Sequence, residues 1–275
     1  MKSFAMALTC SFFCGVISLS AFAYGSDYNY KGVKYDELRF PHFIVYYDKS
    51  VSESYANKLG DMGERFYMDI TEEFNLVRNE FWTWDNRAKI FVAKDKDAFK
   101  ASFSCPAWSA ACVDYARKEV FTYPDQANFD TILAHELTHI IFYEYIGNIT
   151  VPLWFNEGVA VYIQENKADT KWFGNNFFVY LQRVIKDNQY IPFEEILGIN
   201  AAGIDAKGNS YVNTFYIQAY SMVNFLVKKY GHDGFAYFLY KLRDSGDFKA
   251  AMMSSFEGLD TPQEFEERWK NFYQE

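Results

Sequence analysis

Apolar positions along this chain change their rhythm near Pro124. Before that point, short apolar runs flank one long amphipathic stretch. "FIVYYD" (43–48) has the unbroken apolar character of a buried strand. In 50–74, Tyr55, Leu59, Met62, Phe66, Ile70 and Phe74 recur every three or four positions and predict a helix, with Ser50 and Glu53 as its capping box. "AKIFVAKD" (88–95) is a second strand, and "CVDY" and "EVFTYP", separated by "ARK", predict a hairpin. After Pro124 the helical period takes over. A helix is expected from Ala127 to Tyr145, then a break at "GNITVP", then a second helix opening after Pro152. "NTFYIQAYSMVNFLVKKYG" ends on Gly231, which suits a left-handed helix terminus. "TPQEFEERWKNFY" offers Thr261 as cap, Pro262 in the first helical position and Glu264 closing a capping box. The stretch 200–210, rich in small and turn-forming residues, reads as a loop. The pattern predicts an α+β protein with a mixed strand and helix lobe over 24–126, two central helices within 127–166, and a helical lobe over 167–275.

The N-terminus is set apart. One lysine precedes an apolar run, and "AFA" at 21–23 offers a small-x-small site, so residues 1–23 read as a signal peptide cut after Ala23. An uncleaved anchor is the alternative, because the run approaches a bilayer-spanning length. Cys10 and Cys14 lack the Leu-x-small context of a lipoprotein signal, and no later stretch is apolar enough to span. The expected location is the periplasm or the exterior, without stable membrane insertion once the signal is removed. The formal net charge of −9 comes without basic blocks, which argues against nucleic acid and anionic membrane surfaces as partners. Two cysteines remain in the mature segment, Cys105 and Cys112. An even pair this close in an exported chain suggests a disulfide, with two free thiols as the alternative.

Two of the four histidines lie in "ILAHELTHIIF" (132–142). His135 and His139 are four apart, so a helix presents both imidazoles from one face. Two nitrogens there can reach one ion at about 2.0–2.1 Å. Glu136, one position on from His135, instead flanks the ion, where it can accept a proton. A catalytic zinc needs a third protein ligand. Glu157, in "VPLWFNEGVAVYIQE", falls in the first two turns of the helix opened by Pro152, and a short turn through Gly147 and Asn148 would fold that helix back onto the first. His42 and His232 are isolated and read as structural.

"HELTH" followed by "WFNEGVAVY" resembles the gluzincin metallopeptidases, the clan that includes thermolysin and the aminopeptidase N family. The chain is most similar to the peptidase MA-like group of exported bacterial proteins, through these motifs, the segment 98–124 and the helix at 215–231. The resemblance implies a zincin-like fold and one zinc held by His135, His139 and Glu157. It also implies Glu136 as general base in hydrolysis of a peptide or protein amide bond. A Tyr or His on the helical side would steady the oxyanion. Tyr216 is the first candidate, then Tyr220, then His232. "EVFTYP" would offer a strand edge to which a peptide backbone could add, or equally serve as a plain structural hairpin. Two departures qualify the likeness. The Gly-x-Met-Glu-Asn segment with which the aminopeptidases grip a free amino group is absent. Val161 stands where thermolysin-like enzymes place an acid behind a zinc ligand, which leaves the partners of the ligands unidentified. Rival readings are a zinc amidase acting on cell-wall or non-peptide amides, and a non-catalytic binding module on the same fold.

Overall fold

In the computed structural model, the described residues are 22–23, 28–76, 82–103, 105, 111–124, 128–200, 203–204 and 207–274. Most of the expected signal segment therefore lies outside them, as do residues 106–110 between the two mature cysteines and parts of the 200–210 loop.

The strands are β1 (Phe22–Ala23), β2 (Tyr28–Tyr30), β3 (Val33–Arg39), β4 (Phe43–Asp48), β5 (Ala88–Val92), β6 (Cys112–Asp114) and β7 (Glu119–Thr122). They form one mixed sheet in the order β1-β3-β4-β5-β7-β6, with β2 also on β3. β4, β5 and β7 run parallel, while β3 and β6 pair antiparallel with their neighbours. Both faces are covered, which is why β4 reads as a continuous apolar run. Phe43, Val45 and Tyr47 face the main core, and Ile44 and Tyr46 face a second cluster with Phe91, Phe99 and Phe121. The parallel connections are made by α1 (Glu53–Glu73) and α2 (Lys96–Ser102).

Two sequence expectations need correction here. "EVFTYP" is not an edge: β7 is hydrogen bonded on both sides, to β5 and β6, and β6 forms the rim. The cap of α1 is Ser52, whose hydroxyl accepts from the Tyr55 N–H at 3.2 Å. Ser50 is instead engaged by Asp48, which accepts its N–H at 2.9 Å and its O–H at 2.6 Å. The Thr261 cap is found as expected, with the Glu264 N–H donating to its hydroxyl at 3.1 Å.

The helical half comprises α3 (Phe129–Ile146), α4 (Leu153–Lys167), α5 (Phe177–Lys186), α6 (Phe193–Leu197), α7 (Asn209–Ser245), α8 (Phe248–Ser255) and α9 (Pro262–Gln274). α7 is broken rather than ended at Gly231, whose φ of 78° suits glycine, and it resumes directly afterwards. α3 is apolar nearly all round because α1, α4 and α7 enclose it. One core cluster runs from Leu38 to Tyr273, joining the sheet to the helices without a seam. No helix among the described residues is long and apolar enough to cross a membrane.

Candidate metal centre

α3 and α4 form a helical hairpin through a six-residue connection, 147–152. Gly147 closes α3 at φ 67°, and its N–H returns to the Tyr143 carbonyl at 2.9 Å. Pro152, with φ −55°, opens α4. The turn brings Glu157 against the histidine face of α3.

The Nε2 atoms of His135 and His139 lie 3.1 Å apart. Glu157 Oε2 is 3.5 Å from the first and 3.8 Å from the second. A tetrahedral ion with bonds of about 2.0–2.1 Å needs ligand atoms about 3.3–3.4 Å apart, and these three separations bracket that value. Among the described residues, these three side chains are the group of His, Cys, Asp or Glu residues able to share a metal.

The ring protons strengthen the case. His135 Nδ1 faces Gln164 Oε1 at 3.0 Å, and His139 Nδ1 faces Asn156 Oδ1 at 3.3 Å. Amide oxygens there place each neutral ring's proton on Nδ1, so two Nε2 lone pairs point at each other and at a carboxylate. With both ring protons on Nδ1, two imidazole lone pairs and one carboxylate oxygen converge on a point that suits a cation. Without a metal, a proton on a histidine serves the same carboxylate. Burial pushes the Glu157 carboxyl up, but hydrogen bonds and charge from His135 and His139 outweigh it and hold it well below the usual carboxylate range. Burial pulls His135 down, yet Glu157, Glu136 and Gln164 together leave it raised.

Gln164 and Asn156 are the partners of the ligands that spacing alone left unidentified. Gln164 lies seven residues, two helical turns, beyond Glu157 and is buried on the same face of α4. A polar residue at a core-facing helical position was the available signal. Gly158 is explained by packing. A Cβ there would stand 2.5 Å from the Ala219 carbonyl oxygen and 2.8 Å from Val223 Cγ2, so only glycine lets α4 lie this close to α7.

Tyr115 carries no sequence signal of its own. It sits in the turn between β6 and β7, with its ring edge-on to His139 at 5.8 Å and its phenol close enough to Glu136 to feel its charge. Burial, and then the charges of Glu136 and Glu157, push its phenol well up. That turn is pinned to α3, since Lys118 Nζ donates to Glu144 Oε1 at 2.9 Å and Trp82 Nε1 donates to Glu144 Oε2. The preceding strand is tied by the Cys105–Cys112 disulfide, with Cα atoms 5.7 Å apart.

The oxyanion candidates separate. Tyr216 packs edge-on against Trp172 at 5.6 Å and is close enough to influence the Tyr115 phenol. Tyr220, one turn on, is buried among Tyr162, Phe173 and Phe177, and its hydroxyl lies beside Glu165 and Asn166, two turns past Glu157. Burial and Glu165 push that phenol up to about 12. His232 pairs with Glu73 at 3.2 Å, the carboxylate that also holds Lys167 at 2.6 Å and the Tyr162 hydroxyl at 2.9 Å. His42 pairs with Glu64 at 2.6 Å and stacks on Tyr67.

A cleft of about 850 Å³ opens beside the centre, and of the three donors His139 lines it. Tyr115, His139 and Asn156 line its inner end; it follows the C-terminal half of α3 past Phe142 and Ile146 and reaches Lys249.

The Peptidase MA superfamily matches the sequence over residues 90–275. Among solved structures, yeast LTA4 hydrolase in complex with Bestatin is similar, at 15% identity and a TM-score of 0.43. The match covers 87% of this chain, which spans 37% of the hydrolase. No curated protein matches the sequence.

Proposed function

Because the chain belongs to the Peptidase MA superfamily, we propose that it is a zinc-dependent metallopeptidase, with His135, His139 and Glu157 as ligands and Glu136 as general base. The convergence of two Nε2 atoms and one carboxylate oxygen at the separations a tetrahedral ion needs carries this reading. Two imidazoles and a carboxylate are a donor set that suits zinc and leaves one position open.

Zinc, when bound, supplies a Lewis acid that acidifies water and polarises the substrate carbonyl. The rest falls to the chain's own side chains. Glu136, half-buried and next to a ligand, takes the proton of the attacking water and returns it to the leaving nitrogen. Tyr115, whose phenol lies near Glu136, is the residue placed to donate to that carboxylate and hold the base in one orientation. Gln164 and Asn156 hold both imidazoles in the tautomer that leaves Nε2 free. Tyr216 remains the candidate oxyanion donor, because its phenol lies near Tyr115 on the helical side of the site. The surroundings of Tyr220 favour a packing role for it. The substrate is a peptide or protein whose backbone enters the cleft beside His139. An exported location after cleavage at Ala23 fits the disulfide, which persists in oxidising compartments.

The test pairs metal analysis with cleavage. Wild-type protein is expected to carry one zinc and to hydrolyse members of a peptide library. His135→Ala should lose the metal. Glu136→Gln should keep it while activity falls by about 10²–10⁴-fold. Stoichiometric zinc in a His135→Ala, His139→Ala double variant would overturn the ligand assignment.

A further inference from the structure

The far end of the cleft does not stop at Lys249. Leu197, Phe248 and Lys249 line both the cleft and a second, smaller pocket of about 140 Å³. The wall of that pocket comes from α6, α8, the connection after α8 and the start of α9: Leu197, Phe248, Met252, Met253, Leu259 and Pro262. Its volume is close to that of an apolar cavity known to take up one benzene ring, roughly 150 Å³. Two adjacent methionines in the wall make it adaptable, since unbranched thioether chains shift to fit different apolar shapes. The pocket is therefore sized for one aromatic or branched aliphatic side chain.

Its place relative to the triad follows from α3. Ile146, still within the cleft, is seven residues beyond His139, which is about 10 Å along the helix. The second pocket joins the cleft through Leu197, Phe248 and Lys249, and a chain that follows the cleft past Ile146 before entering the pocket covers at least that distance. An extended peptide advances about 3.3 Å per residue, so a chain running from the metal centre reaches the pocket after about three residues or more.

We propose that this pocket is an anchor site for a polypeptide substrate, taking an aromatic or branched aliphatic side chain at least three residues from the scissile bond. The proposal deepens the metallopeptidase reading and rests on it for the identity of the ligand as substrate. Affinity then comes partly from a residue remote from the chemistry. Short peptides confined to the inner cleft gain nothing from the pocket, whereas longer ones with a correctly spaced apolar residue do.

The experiment uses peptides that differ only in which position carries Phe in place of Ser. Binding to the Glu136→Gln protein is read by fluorescence anisotropy, and cleavage by the wild-type protein is read alongside. One position, remote from the cut, should tighten binding about 10- to 100-fold, the range that burial of a single large apolar side chain supports. Met253 is 43% exposed, so its replacement leaves the core intact. Met253→Glu, which puts a charge in the pocket, and Met253→Trp, which fills it, should each abolish that gain. Both should leave the melting temperature and the cleavage of a short peptide unchanged. The inference is overturned if no position favours Phe, or if the gain survives in both Met253 variants. Failure of the metallopeptidase reading looks different: the wild type would cleave none of the peptides, and the anisotropy series would still decide the pocket.

Discussion

Replacing Gly158 by alanine should destabilise the protein, although the same change in an exposed helix is favourable. Alanine is the better helix former by about 1 kcal/mol. Against that stands the approach of α7. The new Cβ would sit 2.5 Å from the Ala219 carbonyl oxygen, about 0.9 Å short of the 3.4 Å at which ordinary contact begins. A backbone oxygen in the middle of a helix cannot swing aside, so α4 and α7 must separate. Overpacking of this kind costs about 1–3 kcal/mol, and a rigid backbone obstacle places this case at the upper end. The net loss is then about 2 kcal/mol, or about 4–8 °C in melting temperature for a chain of this length. Because Glu157 is the preceding residue, moving α4 also draws its carboxylate from the histidines, and zinc affinity should fall with stability. Thermal melts of metal-free and zinc-loaded Gly158→Ala, with a chelator competition titration, measure both effects. A melting temperature at or above wild type would refute the reasoning, because helix propensity would then outweigh the contact.

Gln164→Ala should weaken zinc binding about 10- to 100-fold, as expected for loss of a partner that orients a ligand, and unchanged affinity would remove Gln164 from the site. Tyr216→Phe should lower turnover about 10²–10³-fold with zinc content and melting temperature unchanged. Tyr115→Phe should lower it about 10- to 100-fold by freeing Glu136, the worth of one hydrogen bond to a charged group. Tyr220→Phe should turn over as wild type; a loss confined to that variant would move the oxyanion role one helical turn. Cys105 and Cys112 should resist alkylation in protein taken from its native compartment, and reducing them should cost at most about 2–3 kcal/mol. Two reactive thiols would refute the pairing there.

Features that depend on neighbours in the chain are legible in the amino-acid sequence itself. A helix puts residues four apart on one face, so the His135–His139 pair and the flanking position of Glu136 follow from spacing alone. The apolar run of β4, the Thr261 cap and the glycine at the end of α3 are likewise local matters of burial, hydrogen bonding and permitted φ. Glu157 stands between the two kinds: the short break through Gly147 and Pro152 makes a fold-back expected, but only the packed hairpin puts its carboxylate within 3.8 Å of both rings. Everything else at the site is settled by contacts between distant segments. Gln164 behind His135 shows locally only as a polar residue at a core-facing position, and Tyr115 beside Glu136, the close approach at Gly158 and the different surroundings of Tyr216 and Tyr220 have no local signature. The same holds for the sheet edge, which falls on β6 because β7 inserts beside β5. The physical reason is range. Backbone torsions and capping bonds act over a few residues, whereas packing against α7 and the hairpin couples residues 20 to 60 positions apart, and the composition of each segment admits several such partners.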